Sequence, residues 1–267
     1  MVSESFNKEY TKYWKEAVNK SIDGTVIADK SIAKIFLDKI KLRRDITSLD
    51  LGCSFGRMYD LLNLYSSEVH GVDVDKYAIK EAKKYNYKSL QVSSATKTNY
   101  SKDSFQLIFC WAVFEVLDHA KTLIEMNRLL SEGGHVVLTA KNDCYYNDDL
   151  LAFTAEKNAF LKDFPNSFIN LPSMINSLYF FGFETEKLYI FNKRGDIGLA
   201  KYIEINNFEL NEIKGYEFLL ILKKTKNTRI STHKSSFSSK FSRTSKKIAI
   251  NKGYSSADKL FRSIGYE

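Results

Sequence analysis

The sequence predicts an open α/β sheet: seven strands, mostly parallel, with an antiparallel last strand and helices on both faces. Three observations predict it. Short apolar runs alternate with helix-period segments through the first 140 residues. The first clear run, around Ile46, Leu49 and Leu51, enters a glycine turn, Gly52-Cys-Ser-Phe-Gly56, before a helical pattern with Leu61, Leu62 and Leu64. The last two runs, 183–191 and 215–223, have no clear crossover helix between them, which predicts an antiparallel pair at the sheet edge.

Each element follows from its residues. Residues 6–20 place Phe6, Tyr10, Tyr13, Trp14 and Val18 near one helical face, and 26–40 repeat Ile32, Ile35, Phe36 and Ile40 at the same period. Strand, glycine turn and helix in succession build a ligand crevice at the strand ends, where glycine lets the backbone approach a ligand. About twenty residues on, a second β-like run ends at Asp73, placed to accept hydrogen bonds from ribose hydroxyls. Asp75 is a second candidate for that role, and equally suits the N-cap of a helix with Ala78, Ile79 and Ala82 facing inward. Residues 88–92 and 104–111 read as strands three and four. A helix over 121–130 is expected to stop at Glu132-Gly-Gly134, with strand five opening at His135. An aromatic-rich stretch, 145–181, contains both prolines, Pro165 and Pro172, which are expected to break it into helices.

Composition excludes several classes. No apolar run approaches the roughly 20 residues that span a bilayer. The start, Met1-Val-Ser-Glu-Ser, lacks the basic and apolar regions of a signal peptide. Cys53, Cys110 and Cys144 form no Cys-x-x-Cys pair and read as reduced thiols in a cytoplasmic protein, with no metal-ligand spacing. The net charge of +8 belongs to one segment: residues 226–267 hold ten Lys and Arg against two acids, while the first 225 balance 30 against 30. That basic Ser/Lys-rich tail reads as solvated, as an arm for RNA, a lipid surface or another anionic partner, or as a segment folding back over the site.

A nicotinamide fingerprint would need a glycine where Ser54 stands. The form Asp50-Leu-Gly52-Cys53-Ser54-Phe-Gly56, with Val-Asp73 after the next strand, instead resembles motif I of the class I S-adenosylmethionine-dependent methyltransferases. The resemblance covers roughly residues 46–140. It implies a Rossmann-like methyltransferase fold, S-adenosylmethionine as cofactor and S-adenosylhomocysteine as product. It also implies a donor site from Asp50, Gly52, Cys53, Ser54, Gly56, Asp73, Val74, Ser94, Ala95, Trp111 and Ala112. Ser94 stands where the family usually has an acidic residue for the adenine, and Gln106 replaces the aspartate of Phe-Asp-Leu-Ile. The implied layout is an N-terminal helical lid (1–44), a methyltransferase domain (45–225) with an acceptor cap (145–181), and the tail. Tyr10, Tyr13, Trp14 and Tyr145 are the candidate acceptor contacts.

Methyl transfer from a sulfonium needs alignment, exclusion of water and sometimes a base. His119 suits a base by residue type, and equally a capping or surface role. Asp143, just beyond strand five, is a base or acceptor-orienting candidate, or a loop residue. The expected acceptor is a small polar metabolite, a sugar or phosphorylated precursor among them, methylated on oxygen or nitrogen. Two alternatives remain: RNA or protein methylation with the tail as substrate arm, and a degenerate fold acting as an interaction module.

Overall fold

The computed structural model describes residues 25–42, 45–206, 213–226 and 237–265. After helix α1 (Thr25–Leu37), strand β1 (Ile46–Leu51) leads through the glycine turn to α2 (Tyr59–Leu62). Next come β2 (Ser66–Asp73), α3 (Lys76–Ala82), β3 (Ser89–Val92), β4 (Phe105–Cys110), α4 (His119–Leu129) and β5 (Leu130–Lys141). The rest is α5 (Leu150–Leu161), β6 (Phe168–Ile169), α6 (Leu171–Leu178), β7 (Phe183–Phe191), β8 (Ile203–Glu204), β9 (Glu217–Lys224), β10 (Ser238–Ser239), α7 (Arg243–Asn251) and α8 (Ala257–Ile264).

Eight strands form the main sheet in the order β3-β2-β1-β4-β5-β9-β7-β8. The first five run parallel, and β9 lies antiparallel between β5 and β7. The order reverses between β1 and β4, so the ligand crevice opens at the carboxyl ends of those two strands. The antiparallel pair is therefore present, but β9 is interior and the short β8 adds an eighth strand at the edge. A second departure concerns the double glycine. Strand β5 begins at Leu130, and its register against β4 shifts between Leu130 and His135, absorbing Glu132-Gly-Gly134.

Alternation along β4 divides the core. Leu107 and Phe109 face Phe36, Leu37 and Leu61 of α1 and α2, whereas Ile108 and Cys110 face Leu123 and Met126 of α4. Burial on both faces is why β1 and β4 read as nearly continuous apolar runs. The aromatic segment is divided into helices as its prolines suggest: Pro165 lies between α5 and α6, and Pro172 sits in the first turn of α6, where its missing N–H costs nothing.

The C-terminal segment corrects the expectation of a solvated tail. Its described part, residues 237–265, is packed. Phe237 joins the core beneath α4 and α6, β10 pairs antiparallel with β6, and Leu260 and Phe261 of α8 are fully buried beside Phe153 and Phe160 of α5. Two buried carboxylates hold it. Glu156 of α5 accepts hydrogen bonds from the Ser242 N–H (2.8 Å), Ser242 Oγ (2.7 Å), Ser245 Oγ (2.6 Å) and Tyr145 hydroxyl (2.8 Å). Asp143 faces the Arg243 guanidinium at 3.0 Å and 2.9 Å through its two oxygens. Apart from Arg243, the basic residues of α7 and α8 lie on outer faces; the few apolar ones, at helical spacing, carry the packing.

Candidate active site

Two adjoining spaces occupy the crevice. The first is a narrow cleft of about 10 Å³ lined by Gly52, Ser54, Arg57, Asp73, Asp75, Ala78 and Val113. Its floor is the glycine turn, in which Gly52, Ser54 and Gly56 all have positive φ (80°, 48° and 81°). The Asp73 carboxylate closes one end: Oδ2 accepts the Ser54 N–H (3.0 Å) and Oδ1 the Asp75 N–H (2.9 Å). Burial raises its pKa, and those N–H donors work against the rise. Asp75 caps α3, its Oδ1 accepting from the Tyr77 and Ala78 N–H groups, and lines the cleft beside Asp73.

The residues present fit a nucleoside donor. A Cβ added at Gly52 would meet Val113 Cγ1 at 2.6 Å, so this glycine cradles the cleft where a side chain would fill it. Arg57, absent from the sequence-derived set, donates to the Trp111 carbonyl (3.3 Å) and brings a cation to the cleft. Its position directly after Gly56 was the available signal.

Not every expected donor residue faces this space. Asp50 is buried and accepts the Tyr87 hydroxyl (2.8 Å); burial pushes its pKa up to about 7. Cys53 is buried, and Gly56 turns toward Tyr85. These three shape the turn from behind. Trp111 does not present its ring to a ligand: it is buried and stacked on Phe109 at 5.6 Å. Val74 is exposed at the lip, Ala95 is buried, and Ser94 is exposed, engaged with Thr96 Oγ1 at 2.8 Å. Ala112 has φ of 56°, and its N–H donates to Thr139 Oγ1 (2.7 Å).

The second space, a cavity of about 510 Å³, begins at Ala112 and runs over the ends of β4 and β5. Glu115, Val116 and Lys141 form its floor, Thr154, Ala155 and Asn158 of α5 one wall, and Phe164 to Asn166 another. Arg194, in the turn after β7, and Tyr216 and Glu217, at the entry to β9, complete it. Lys141 Nζ donates to Asn166 Oδ1 (2.9 Å) and lies 3.7 Å from Glu115 Oε1. The Ser167 N–H and Oγ both donate to the Glu115 carbonyl, fixing its turn. Glu115 and Arg194 were missed by sequence reasoning; long-range folding alone brings Arg194 here.

Both catalytic candidates lie elsewhere. His119 is sealed between Phe114 (4.7 Å) and Phe237 (6.0 Å), with Nε2 3.4 Å from Ser167 Oγ. Burial lowers its pKa to about 4, and it lines neither space. Asp143 is held in its ion pair with Arg243 and also faces the Asn170 amide (3.3 Å). Tyr145 is buried in the Glu156 network, away from the cavity. Tyr10, Tyr13 and Trp14 lie outside the described residues. Among the described residues no cluster of metal-ligating side chains exists.

With this geometry in view, the relatives agree. Residues 49–138 match the family model described as a methyltransferase domain. A Thermotoga maritima S-adenosylmethionine-dependent methyltransferase, described as a possible histamine N-methyltransferase, superposes with a TM-score of 0.58. It shares 17% identity, over 83% of this chain and 98% of that one. A Mesorhizobium loti S-adenosylmethionine-dependent methyltransferase gives 0.54 at 18% identity, covering 70% of this chain and 94% of that one. An uncharacterized protein of Methanocaldococcus jannaschii is 24% identical over 109 residues, 40% of this chain. The chain spans about half (46%) of that relative's length. The fold is thus that of the Rossmann-like methyltransferases. Residues 49–138 match a methyltransferase domain, on a fold shared with S-adenosylmethionine-dependent methyltransferases.

Proposed function

We propose that the chain transfers a methyl group from S-adenosylmethionine to oxygen or nitrogen of a small polar metabolite. When bound, the donor supplies a methyl carbon already activated on a sulfonium; transfer forms the acceptor–carbon bond, breaks carbon–sulfur and leaves the electron pair on sulfur. The residues of this chain have the remaining work. Gly52 and Ser54 shape the cradle, Asp73 takes the ribose hydroxyls, and the walls of the larger cavity hold the acceptor and exclude water.

The observation that carries this reading is the 510 Å³ cavity adjoining the donor cleft at Ala112–Val113, within the size range of small-molecule sites. What favours it over a tail-borne RNA or protein substrate is the packing of residues 237–265 into the core. We also infer a cytoplasmic setting from three buried free thiols; among the described residues no helix is long and apolar enough to cross a membrane. Calorimetric titration with S-adenosylhomocysteine tests the donor site. Wild-type chain should bind, and Asp73→Ala should weaken binding by about tenfold or more, the value of one charge-assisted hydrogen-bond pair. No binding to wild type sinks the proposal.

A further inference from the structure

We infer that the acceptor is an amine, held by the carboxylate of Glu115. This rests on the proposed function and names the substrate class of its larger cavity. Glu115 lines the larger cavity and follows Ala112, which also lines it, and Val113, which lines the donor cleft, by only three and two positions. Its side chain is only 12% exposed. Oε1 lies near Lys141, while Oε2 is buried with no hydrogen-bond partner. A buried carboxylate oxygen without a donor is costly, and a ligand N–H repays that cost best when it is charged.

The rest of the cavity points the same way. Lys141 is occupied by Asn166 and Glu115, and the other cations, Lys162 and Arg194, are exposed at the mouth. The ammonium therefore sits deep at Glu115, and any anionic group of the same ligand sits outward between Lys162 and Arg194. The chemistry of attack agrees. A hydroxyl must lose its proton as it attacks, which asks for a base, and none of the residues lining this cavity is a histidine. Carboxylates are feeble bases toward alcohols. An ammonium held at Glu115 first gives one proton to solvent, which it does far more readily than a hydroxyl, and the nitrogen then attacks with the lone pair so freed. The carboxylate then serves to bind and orient, and to favour the methylammonium as it forms.

The test uses the full chain and matched probes: triplets of amine, alcohol and carboxylate on aliphatic, phenyl and imidazole bodies, titrated calorimetrically with and without S-adenosylhomocysteine. At least one amine should bind about tenfold or more tighter than its own alcohol and carboxylate. Glu115→Gln, which keeps the shape and removes the charge, should erase that preference. The preference in wild-type protein is readable even if the variant folds poorly. If no triplet favours its amine, or E115Q leaves the preference intact, the inference is overturned. S-Adenosylhomocysteine titrated alone reports separately on the donor: binding without amine preference fells only this inference, whereas no binding fells the proposed function itself.

Discussion

Asp50 illustrates how a residue can belong to a motif without touching its ligand. It stands two residues before Gly52, yet its carboxyl is buried behind the turn against the Tyr87 hydroxyl. Burial raises its pKa to about 7 from an ordinary carboxylate value near 3.8. The folded chain thus keeps a proton that the unfolded chain releases from about pH 4 upward, and stability falls between pH 4 and 7 before levelling. Asp50→Asn removes that dependence while keeping an acceptor for Tyr87. It should be the more stable protein above pH 7, by on the order of 3 kcal/mol, with the gain vanishing near pH 4. Thermal unfolding across that pH range measures it. Sequence found this aspartate through the motif, and its burial could not be read there, because the shielding Tyr87 arrives from another turn. The burial of His119 was illegible for a related reason: the ring that seals it, Phe237, lies 118 positions away in sequence.

At the scale of elements, what ties α7 to the domain is ionic. Arg243 follows the N-cap Ser242, and its guanidinium satisfies Asp143 at the end of β5, while Ser242 and Ser245 satisfy Glu156. Burial pushes the Glu156 pKa up, and the four donors hold it back. Arg243→Ala leaves a buried carboxylate without its cation. Because Arg243 is itself about a third exposed, the loss belongs at the low end for buried pairs, about 3 kcal/mol in urea unfolding. Adding Asp143→Asn should restore part of it; equal stability of the single variant and wild type would contradict the assignment. The parallel half of the sheet was legible because each strand carries its own apolar run and each helix its own stripe. The latch was not: Asp143, Glu156 and Ser242 are ordinary loop, helix and linker residues until tertiary contacts join them.

For the whole molecule, the basic C-terminal region is part of the fold. Composition pointed elsewhere because lysines outnumber the few apolar anchors, whose spacing says more than their number. A chain ending at residue 226 loses the buried Phe237, Leu260 and Phe261 and uncovers Phe153 and Phe160. The lost burial amounts to on the order of 5 kcal/mol. The truncated chain should melt well below the full chain and elute as aggregates in size-exclusion chromatography. A monomer of unchanged melting temperature would show the segment to be dispensable. Removing it is therefore a poor way to separate small-molecule from macromolecular substrates.

The place of β9 has a consequence for synthesis. It is the eighth of the main sheet's strands along the chain, yet it sits between β5 and β7. Until residue 224 has left the ribosome, those two strands present open edges with no partner to join them, and the five parallel strands end at β5. A nascent chain at that stage holds the complete donor cleft but an unfinished sheet, so its most exposed moment comes late, when most of the protein already exists.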